Sequence, residues 1–487
     1  LFPAAGLASL VLILRQWQRG LRLDWDIDAF LMMAWRFNQG EWLYIDFYDP
    51  KWPHVPLAYL PGALSGSLLV HLLVSWLVLL ATGLAITGFG RAAAPRRLSG
   101  VDTSVAAGVL YVLLAPLLPG GPIGHLAVYA NACLAVGMWG LAARWRDPHP
   151  LAPLAGGLAI GLGVGLRPNL VIPVVAVGLA ALSRSAASEP HRGRLASIAA
   201  GFTLGVAGPF LPYLFRDGGA QAAWLGGFVV LGDWNRAMYP PLSARGFFQE
   251  LTVLYNPRVL GVPGLVLTAG GAALLLLSGL RQGHAGRRVL LLFGLWQAAL
   301  WLSYALSHIH HHYLLMDLAG FCLALAALPA ARLRALSLAL LIALLAAVLF
   351  HPLKPLSALD HQRLRDEALL VRWLGQHSPG RFQSPDWLGP HWRLHTPQAT
   401  KAVHPVWSLQ LLDSPLNQAA SVRSLGLANT WPDRCAEWLA TQPTALVLRP
   451  GTAARCPWDQ HPKVRDISQR VGLSPASDFR VFSMTDR

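Results

Sequence analysis

Charged residues are scarce in this sequence. Asp, Glu, Lys and Arg make up 13% of its 487 residues, whereas they make up about 25% of a typical soluble chain. Hydrophobic residues make up 54%. They gather in stretches close to the ~20 residues that a helix needs to cross a bilayer, as in 68–86, 289–306 and 335–350. The composition therefore excludes an ordinary soluble fold and predicts a polytopic integral membrane protein.

Acidic residues are scarcer still, with 24 Asp and Glu against 39 Lys and Arg and a formal net charge of +15. A nucleic-acid-binding domain gathers such an excess on one face. Here the arginines form short clusters between apolar segments, which is typical of a membrane topology signal. We therefore expect no nucleic acid partner and contact with membrane lipids instead.

The length rule gives about eleven crossings. Every second connection is rich in arginine, so the positive-inside rule places the N-terminus in the cytoplasm and the C-terminus outside. Arg15, Arg19 and Arg22 oppose this orientation, because they follow the first span on the predicted outer side. The arginines of five other connections agree with it. The stretch 1–14 lacks a basic n-region and a small-residue cleavage site, which favours a first span over a cleaved signal peptide. The predicted spans are approximately 1–14, 57–90, 103–118, 122–143, 151–166, 169–183, 195–215, 259–280, 289–306, 313–330 and 335–350.

Composition changes after residue 350. Residues 1–350 predict a transmembrane helical bundle, whereas charged residues return in 351–487, which predicts a separate extracytoplasmic domain. A helix-like segment at 435–440 followed by the apolar run 445–448 indicates a small α/β unit there. The predicted fold class is thus mainly α, a polytopic bundle with a small C-terminal α/β domain.

Cysteine is rare, with four in the chain. Cys133 and Cys322 fall inside predicted spans, and Cys435 and Cys456 fall in the C-terminal domain. The outer pair forms a disulfide if its compartment is oxidising and otherwise consists of two free thiols.

Familiar catalytic motifs are missing as well. The sequence has no phosphate-cradling glycine loop, no zinc motif and no Ser/His/Asp arrangement that spacing singles out, which disfavours a nucleotide-sugar enzyme. The turn 308–313 contains four histidines, but contiguous histidines cannot all converge on one ion. A divalent metal stays possible there. The alternatives are that His311, His312 and Tyr313 hydrogen-bond a sugar or phosphate, or that the turn is simply solvated.

The densest group of polar residues lies in the first predicted outer loop, 15–56. Asp24, Asp26 and Asp28 lie on one side if the segment is extended, whereas a helix beginning near Asp26 uses one of them as its N-cap. We expect a short amphipathic helix over 29–37.

A mixture of aromatics and acids follows in the same loop. Asp46 and His54 are candidate substrate contacts. Lys51 has no topological purpose on the outer side, and its ammonium suits a lipid phosphate. Snorkelling of Lys51 to lipid headgroups is the alternative.

Other candidates fall on the same predicted side of the membrane. Arg167 lies between apolar helices, where a cation must pair with a carboxylate, a backbone carbonyl or a ligand phosphate. Asp233 and Arg236 lie in a predicted outer loop that also contains Trp234, a mixture that suits carbohydrate contacts as well as ordinary loop structure.

These residues carry a resemblance to a known superfamily. An Asp after the first span, a helix ending at Gly40, the triplet 44–46 and a Lys- and Pro-bearing segment that runs into Pro-Leu-x-Tyr look like the first outer loop of the glycosyltransferase C superfamily. The closest branch is the bacterial protein-mannosyltransferase-like and aminoarabinose-transferase-like proteins. Asp26 aligns with the loop aspartate, and Asp28 is the alternative because Ile27 interrupts the usual acidic pair. Lys51 matches the lysine of a Lys-Pro-Pro segment.

Looser similarity extends over residues 1–350. Arg167 resembles the basic residue between the fifth and sixth spans, and the stretch 312–315 resembles a His/Arg-Tyr-Leu-Leu motif. The resemblance implies transfer of a sugar from a polyprenyl-phosphate donor to a lipid, glycan or protein acceptor outside the cytoplasm, in what we expect to be a bacterial inner membrane. Direct attack without a covalent enzyme intermediate would invert the anomeric carbon. Asp26 or Asp28 is then the base, Lys51 and Arg167 hold the donor phosphate, and the turn at 311–313 orients a substrate.

A transporter or flippase of a lipid-linked or anionic solute is the rival interpretation. Transporters of that kind usually show paired repeats with broken helices, and the sequence shows no such pairing. A scaffold without catalysis does not explain why the candidate residues share one predicted face.

Overall fold

The chain is mainly helical. We analysed a computed structural model that describes residues 1–18, 25–93, 103–143, 151–185, 189–238, 243–256, 262–272, 284–306, 310–327, 358–385, 387–396, 410–413, 415–456, 464–475 and 477–484. Within them, the α-helices of eight or more residues are α1 (Phe2–Gln18), α2 (Trp25–Asn38), α3 (His54–Ser65), α4 (Leu68–Ala93), α5 (Thr103–Leu114), α6 (Leu126–Ala143), α7 (Leu151–Leu166), α8 (Val171–Ser185), α9 (Glu189–Ala207), α10 (Val230–Met238), α11 (Ala244–Leu254), α12 (His284–Leu306), α13 (Leu314–Ala326), α14 (Ala358–His377) and α15 (Trp431–Ala440). Shorter helices are Gly219–Trp224, Val262–Leu265, Gly389–Arg393, Ala420–Ser424, Pro450–Ala453 and Ser468–Val471. Single turns or short runs of 3₁₀-helix are Ala115–Leu117, Pro168–Leu170, Gly208–Phe215, His311–Tyr313, Gln410–Asp413 and Pro415–Gln418.

Three helices in the described part of the chain are long and apolar enough to cross a membrane: Leu68–Ala93, Leu126–Ala143 and Gly193–Phe215. Shorter apolar helices cover Thr103–Leu117, Leu151–Leu166, Pro168–Gly178 and Leu314–Ala326. These helices support a membrane protein. The count of eleven spans stays a prediction, and the last predicted span, 335–350, lies outside the described residues.

The long apolar stretch at 57–90 divides as expected into α3 and α4. Gly66 ends α3 in the left-handed region, with φ of 60°, a conformation that glycine adopts without strain and that commonly terminates helices. The short helix before the span proper is therefore confirmed.

The chain forms two compact units. The first comprises Leu1–Gln16, Leu72–Pro209 and Tyr239–Pro352, and the second comprises Trp17–His71, Phe210–Met238 and Leu353–Arg487. The second unit thus contains the first predicted outer loop, part of the outer segment around Asp233 and the C-terminal residues.

Glycines bring α7 and α9 of the first unit into close contact. A Cβ atom at Gly161 would collide with the carbonyl oxygen of Phe202, and one at Gly201 would collide with the carbonyl oxygen of Leu154. Membrane helices associate largely through such close packing, because lipid tails give no hydrophobic driving force between them. The small residues therefore set the spacing of these two helices.

The second unit contains a four-stranded sheet in the order β1 (Phe382–Gln383), β2 (Ala445–Leu448), β4 (Arg480–Met484) and β3 (Val464–Asp466). β1 is parallel to β2, and the other two pairs are antiparallel. Successive residues of a strand face opposite sides. Val447 accordingly joins a core that contains Leu370 of α14, and Leu446 joins a core that contains Trp438 of α15. The sheet is thus covered by a helix on each face, and β2 coincides with the strand predicted from the sequence.

A disulfide links Cys435 of α15 to Cys456, with the two Cα atoms 5.9 Å apart. Cys133 and Cys322 are free.

Candidate functional site

Arg167 lies at the C-terminal end of α7, directly before the turn Pro168–Leu170. It is 8% exposed. One of its terminal guanidinium nitrogens lies 2.8 Å from Nδ1 and 3.2 Å from Nε2 of His125, and its Cζ lies 5.3 Å from the ring centroid of Tyr313. We call Arg167, His125, His312 and Tyr313 the Arg167 cluster.

Two imidazoles stack inside this cluster. The rings of His125 and His312 have centroids 3.8 Å apart and an interplanar angle of 25°. Gly120 permits this approach, because a Cβ atom there would lie 2.9 Å from Cβ of His125 and 3.1 Å from Cβ of His312. Its φ of 79° also favours glycine. The glycine turn before α6 therefore brings the two histidines together.

Polar contacts fix the turn that carries His312 and Tyr313. Asn131 of α6 donates to the carbonyl oxygen of Leu315 at 2.8 Å. Tyr304 stacks on Tyr313 with centroids 5.1 Å apart and donates to its carbonyl oxygen at 3.3 Å. Since these contacts come from α6 and α12, packing between helices sets the position of the turn. His311 is also a predicted substrate contact, but its side chain is outside the part of the chain that the structure describes.

Asp317 anchors Tyr304 from the following helix, α13. Its carboxylate accepts hydrogen bonds from the Tyr304 hydroxyl at 3.2 Å and the Gln297 amide at 2.7 Å. It is 2% exposed. A buried carboxylate in an apolar helix is costly unless such donors satisfy it, and it commonly marks a functional region.

The Arg167 guanidinium has no carboxylate partner among the described residues, and its Nε makes no hydrogen bond to them. A buried cation without an opposite charge is strongly unfavourable. The cluster, which also holds two imidazoles, is therefore suited to an anion. Within the described chain, no group of three or more His, Cys, Asp or Glu side chains is arranged to hold a metal ion.

The first-loop acids lie on α2. Asp26 and Asp28 are in its first turn, where the positive end of the helix dipole stabilises carboxylates. Because the helix begins at Trp25, neither of them is the N-cap. Asp26 is half-buried. Asp28 is 4% exposed, and its Oδ1 accepts a hydrogen bond from Nε1 of Trp392 at 2.8 Å. Asp24 lies outside the described residues.

Arg36 ties the end of α2 to the segment that follows. It forms an ion pair with Glu41 and donates to the carbonyl oxygen of Asp46 at 3.2 Å. Burial lowers the pKa of Arg36, and the Glu41 carboxylate opposes that shift. The Asp46 side chain accepts from the backbone N–H of Trp42 at 2.8 Å. Asp46 thus closes a turn, and its predicted contact with substrate stays a prediction.

Lys51 is half-buried, with its ammonium 5.8 Å from the ring centroid of Phe30. No carboxylate forms an ion pair with it in the described part of the chain. Its backbone is held on both sides, since its N–H donates to the Asp49 carboxylate at 3.0 Å and its carbonyl oxygen accepts from the Tyr44 hydroxyl at 2.6 Å. The backbone of Lys51 is therefore held in place, while its ammonium has no ion-pair partner among the residues that the structure describes.

Asp49 is a further buried acid of this loop, at 1% exposed. Burial, and then the neighbouring Asp49 carboxylate, raises the pKa of Tyr48, which keeps that hydroxyl neutral. His54, a predicted contact, is 3% exposed and lies beside Trp52, with ring centroids 6.1 Å apart.

The first loop packs on the segment 210–238. Nε1 of Trp52 donates to the carbonyl oxygen of Gly227 at 3.1 Å. The Tyr44 ring lies so close to Gly226 that a Cβ atom there would collide with it. Further along this segment, Asp233 pairs with Arg236 at 2.6 Å and accepts from the Ser421 hydroxyl at 2.8 Å. Contact of this pair with a carbohydrate stays a prediction.

Sequence reasoning missed His125 and Asp49. His125 follows a Gly-Gly-Pro-Ile-Gly segment at the start of an apolar helix. A polar residue that follows a glycine-rich turn at the start of an apolar helix could therefore have been recognised as a candidate site residue.

The sequence matches no protein-family profile and no curated protein. Among solved structures, the chain is similar to the single-particle cryo-EM structure of the arabinofuranosyltransferase AftD from Mycobacteria, with a TM-score of 0.48 and 15% sequence identity. The match covers 99% of this chain and 40% of that chain.

Proposed function

We propose that the protein is a membrane glycosyltransferase that moves a sugar from a polyprenyl-phosphate donor to a lipid, glycan or protein acceptor. The observation that carries the proposal is the buried Arg167 guanidinium, which contacts the His125 imidazole and has no carboxylate partner in the described chain. A phosphate group supplies the missing negative charge. The motif resemblance of the first loop adds the sugar-transfer chemistry.

Negative charge accumulates on the donor phosphate as its bond to the sugar breaks. Fixed cations that face this charge lower the barrier more than they stabilise the ground state. Arg167 holds the phosphate in this proposal, with His125 and His312 beside it and Tyr313 packed under the guanidinium. Lys51 of the second unit is a further candidate cation for the donor phosphate, and the absence of an ion pair to it among the described residues supports that role.

Asp26 is the general base. Its carboxylate takes the proton from the acceptor hydroxyl, the acceptor oxygen forms a bond to the anomeric carbon, and the electron pair of the breaking bond leaves with the polyprenyl phosphate. Direct attack inverts the anomeric configuration. Asp28 is the weaker candidate, because one of its oxygens already accepts from Trp392 and its side chain is nearly inaccessible.

Purified protein in nanodiscs, incubated with labelled polyprenyl-phosphate sugars and candidate acceptors, tests the proposal. We expect Arg167→Gln to weaken donor binding by at least about tenfold, as for loss of a charge-assisted contact. Arg167→Lys should retain part of it, and Lys51→Ala should weaken it as well. Arg216→Gln is the matched control, since Arg216 is exposed and stacks on Trp42.

Two results would overturn the proposal. One is wild-type donor binding by Arg167→Gln. The other is movement of an intact lipid-linked sugar across proteoliposomes without any transfer, which is the behaviour of a flippase.

A further inference from the structure

Tyr44 is a buried residue of the first loop to which the proposed reaction gives no role. Its φ is 73°, in the left-handed region that a residue with a bulky side chain rarely adopts. Its side chain is 0% exposed. A backbone conformation of this kind persists only where the surrounding contacts hold it, and it is common at functional sites. The conformation of Tyr44 therefore points to a role beyond packing.

The Tyr44 hydroxyl donates to the backbone of Lys51. The hydrogen bond to the Lys51 carbonyl oxygen is 2.6 Å long. Burial raises the pKa of Tyr44 well above its ordinary value, and the neighbouring Tyr213 and Tyr48 add to that shift, so the hydroxyl keeps the proton that it donates. A buried tyrosine hydroxyl usually finds a partner. Here the partner is the main chain of the residue whose ammonium forms no ion pair within the described chain.

Two glycines pack against the Tyr44 side chain. Gly226 and Gly227 belong to the π-helical turn Leu225–Val229. A Cβ atom at Gly226 would collide with the Tyr44 ring, and one at Gly227 would lie 3.1 Å from its hydroxyl oxygen. Isolated π-helical turns are rare and are frequent at functional sites. Because the two glycines have no side chains, the turn can approach the ring and limit where the hydroxyl lies.

The Lys51 main chain is held at further points. Its N–H donates to the Asp49 carboxylate at 3.0 Å. The next side chain, Trp52, donates from Nε1 to the carbonyl oxygen of Gly227 at 3.1 Å, so the same π-helical turn contacts both Tyr44 and Trp52. A side chain that extends from an ordered backbone loses less conformational freedom when it binds a ligand. These contacts therefore favour binding of an anion by the Lys51 ammonium.

We propose that Tyr44 is a positioning residue for Lys51, whose ammonium meets the phosphate of the donor lipid. The Tyr44 hydroxyl orders the Lys51 backbone and does not itself touch the substrate. This inference rests on the proposed function, in which Lys51 is a cation for that phosphate. The left-handed backbone of Tyr44 and the two glycines then serve one purpose, which is to keep a single hydroxyl on the Lys51 carbonyl oxygen.

Two substitutions disturb this arrangement independently. Tyr44→Phe removes only the hydroxyl, whereas Gly226→Ala displaces the ring. Each has a matched control in the second unit. Tyr213→Phe removes a buried hydroxyl that makes no hydrogen bond to the described residues. Gly232→Ala adds a methyl group where a Cβ atom meets nothing within 4 Å.

The experiment measures the affinities of undecaprenyl phosphate and of undecaprenol for the purified protein in nanodiscs. The ratio of the two affinities isolates the contribution of the phosphate, which a general loss of folded protein does not change. We expect Tyr44→Phe and Gly226→Ala to lower this ratio about fivefold, as for loss of one hydrogen bond. Both controls should keep the wild-type ratio. In a Lys51→Ala background, Tyr44→Phe should have no further effect, because the ammonium that it positions is absent.

The possible failures are distinguishable. If Lys51→Ala lowers the ratio but Tyr44→Phe and Gly226→Ala do not, the positioning role is wrong and the proposed function stands. An unchanged ratio in Lys51→Ala would overturn the role of Lys51 in the proposed function, and the role of Tyr44 with it. A further fall when Tyr44→Phe is added to Lys51→Ala would also overturn the inference, since Tyr44 would then act on the phosphate by another route.

Discussion

Trp392 donates a hydrogen bond from its indole Nε1 to Oδ1 of Asp28 at 2.8 Å, although 364 positions separate the two residues. Both side chains are buried, with Trp392 at 0% and Asp28 at 4% exposed. The segment around Trp392 belongs to the C-terminal part of the chain, and Asp28 lies in the first turn of α2, two positions from Asp26. The C-terminal residues therefore help to order the helix end that carries the proposed base.

Replacing the indole tests this relationship. Trp392→Phe keeps most of the apolar surface but leaves the buried Asp28 carboxylate without that donor. A hydrogen bond to a charged group contributes about 2 kcal/mol, so amides of α2 from Ala29 onward should exchange with solvent roughly 30-fold faster if they open locally. Hydrogen exchange followed by mass spectrometry measures the exchange rates of these amides directly.

Trp373→Phe is the control, because Trp373 stacks on His377 with centroids 5.0 Å apart and has no described contact with α2. Equal exchange of α2 in the two variants would show that the bond from Trp392 does not stabilise this helix.

The two acids of α2 should respond differently to the loss of charge. Asp26→Asn should abolish sugar transfer, with a fall of at least about 10³-fold if the carboxylate is a general base, and should leave donor binding intact. Asp28→Asn still presents an oxygen to Trp392, so we expect a smaller loss. Single-turnover rates with labelled donor, measured beside donor affinity, separate the two effects. Wild-type turnover in both variants would rule out both acids as the base.

Much of the helical architecture follows from the sequence, because long apolar runs have no other economical structure in a bilayer. The division of 57–90 was readable from Pro61 and Gly66. Helix α2 begins four residues earlier than the predicted 29–37, since the apolar pattern does not show that the acids of the first turn also belong to the helix.

The site was less predictable. Arg167 and the turn at 311–313 stood out because charged and polar residues are rare beside apolar helices. The stacking of His125 on His312 was not accessible, because it depends on how α6 packs against a turn 187 positions away in sequence. The satisfied carboxylate of Asp317 was missed for the same reason.

The α7 and α9 interface predicts a steric effect. Gly161→Leu forces a side chain against the carbonyl oxygen of Phe202, and overpacking of this kind costs about 1–3 kcal/mol. We expect a lower melting temperature in detergent and less monodisperse protein by size-exclusion chromatography. Gly140→Leu is the control, since its Cβ atom meets nothing within 4 Å. Equal melting temperatures of Gly161→Leu and Gly140→Leu would mean that close packing of α7 against α9 does not contribute to stability.

The disulfide between Cys435 and Cys456 determines how many cysteines react with a thiol reagent. After denaturation under thiol-blocking conditions, two cysteines should react with maleimide before reduction, Cys133 and Cys322, and all four after it. Replacing both bonded cysteines by alanine should lower the stability of the C-terminal residues by about 3 kcal/mol, as for a loop of this size. Four reactive thiols before reduction would show that Cys435 and Cys456 are not bonded in the protein.

His391 predicts a dependence of stability on acid. It is fully buried, its Nε2 accepts from the N–H of Ser384 at 3.0 Å, and its Nδ1 lies 3.0 Å from the carbonyl oxygen of Thr396. Burial, with a smaller contribution from the Arg36 charge, lowers the pKa of His391 from 6.5 to about 4. In the unfolded chain the imidazole takes up its proton near pH 6.5. The unfolded state therefore binds more protons between pH 6.5 and pH 4, and the stability that is fully present above this window is lost as the pH falls through it.

The His391 contribution amounts to about 2 kcal/mol between pH 7 and pH 5. His391→Gln removes the titrating group and keeps one acceptor and one donor, so the melting temperature of the variant should fall less between these pH values than that of the wild type. His377→Gln, which alters an exposed histidine, should retain the wild-type dependence. If His391→Gln and the wild type lose stability in parallel on acidification, then His391 is not the group that couples folding of this region to pH.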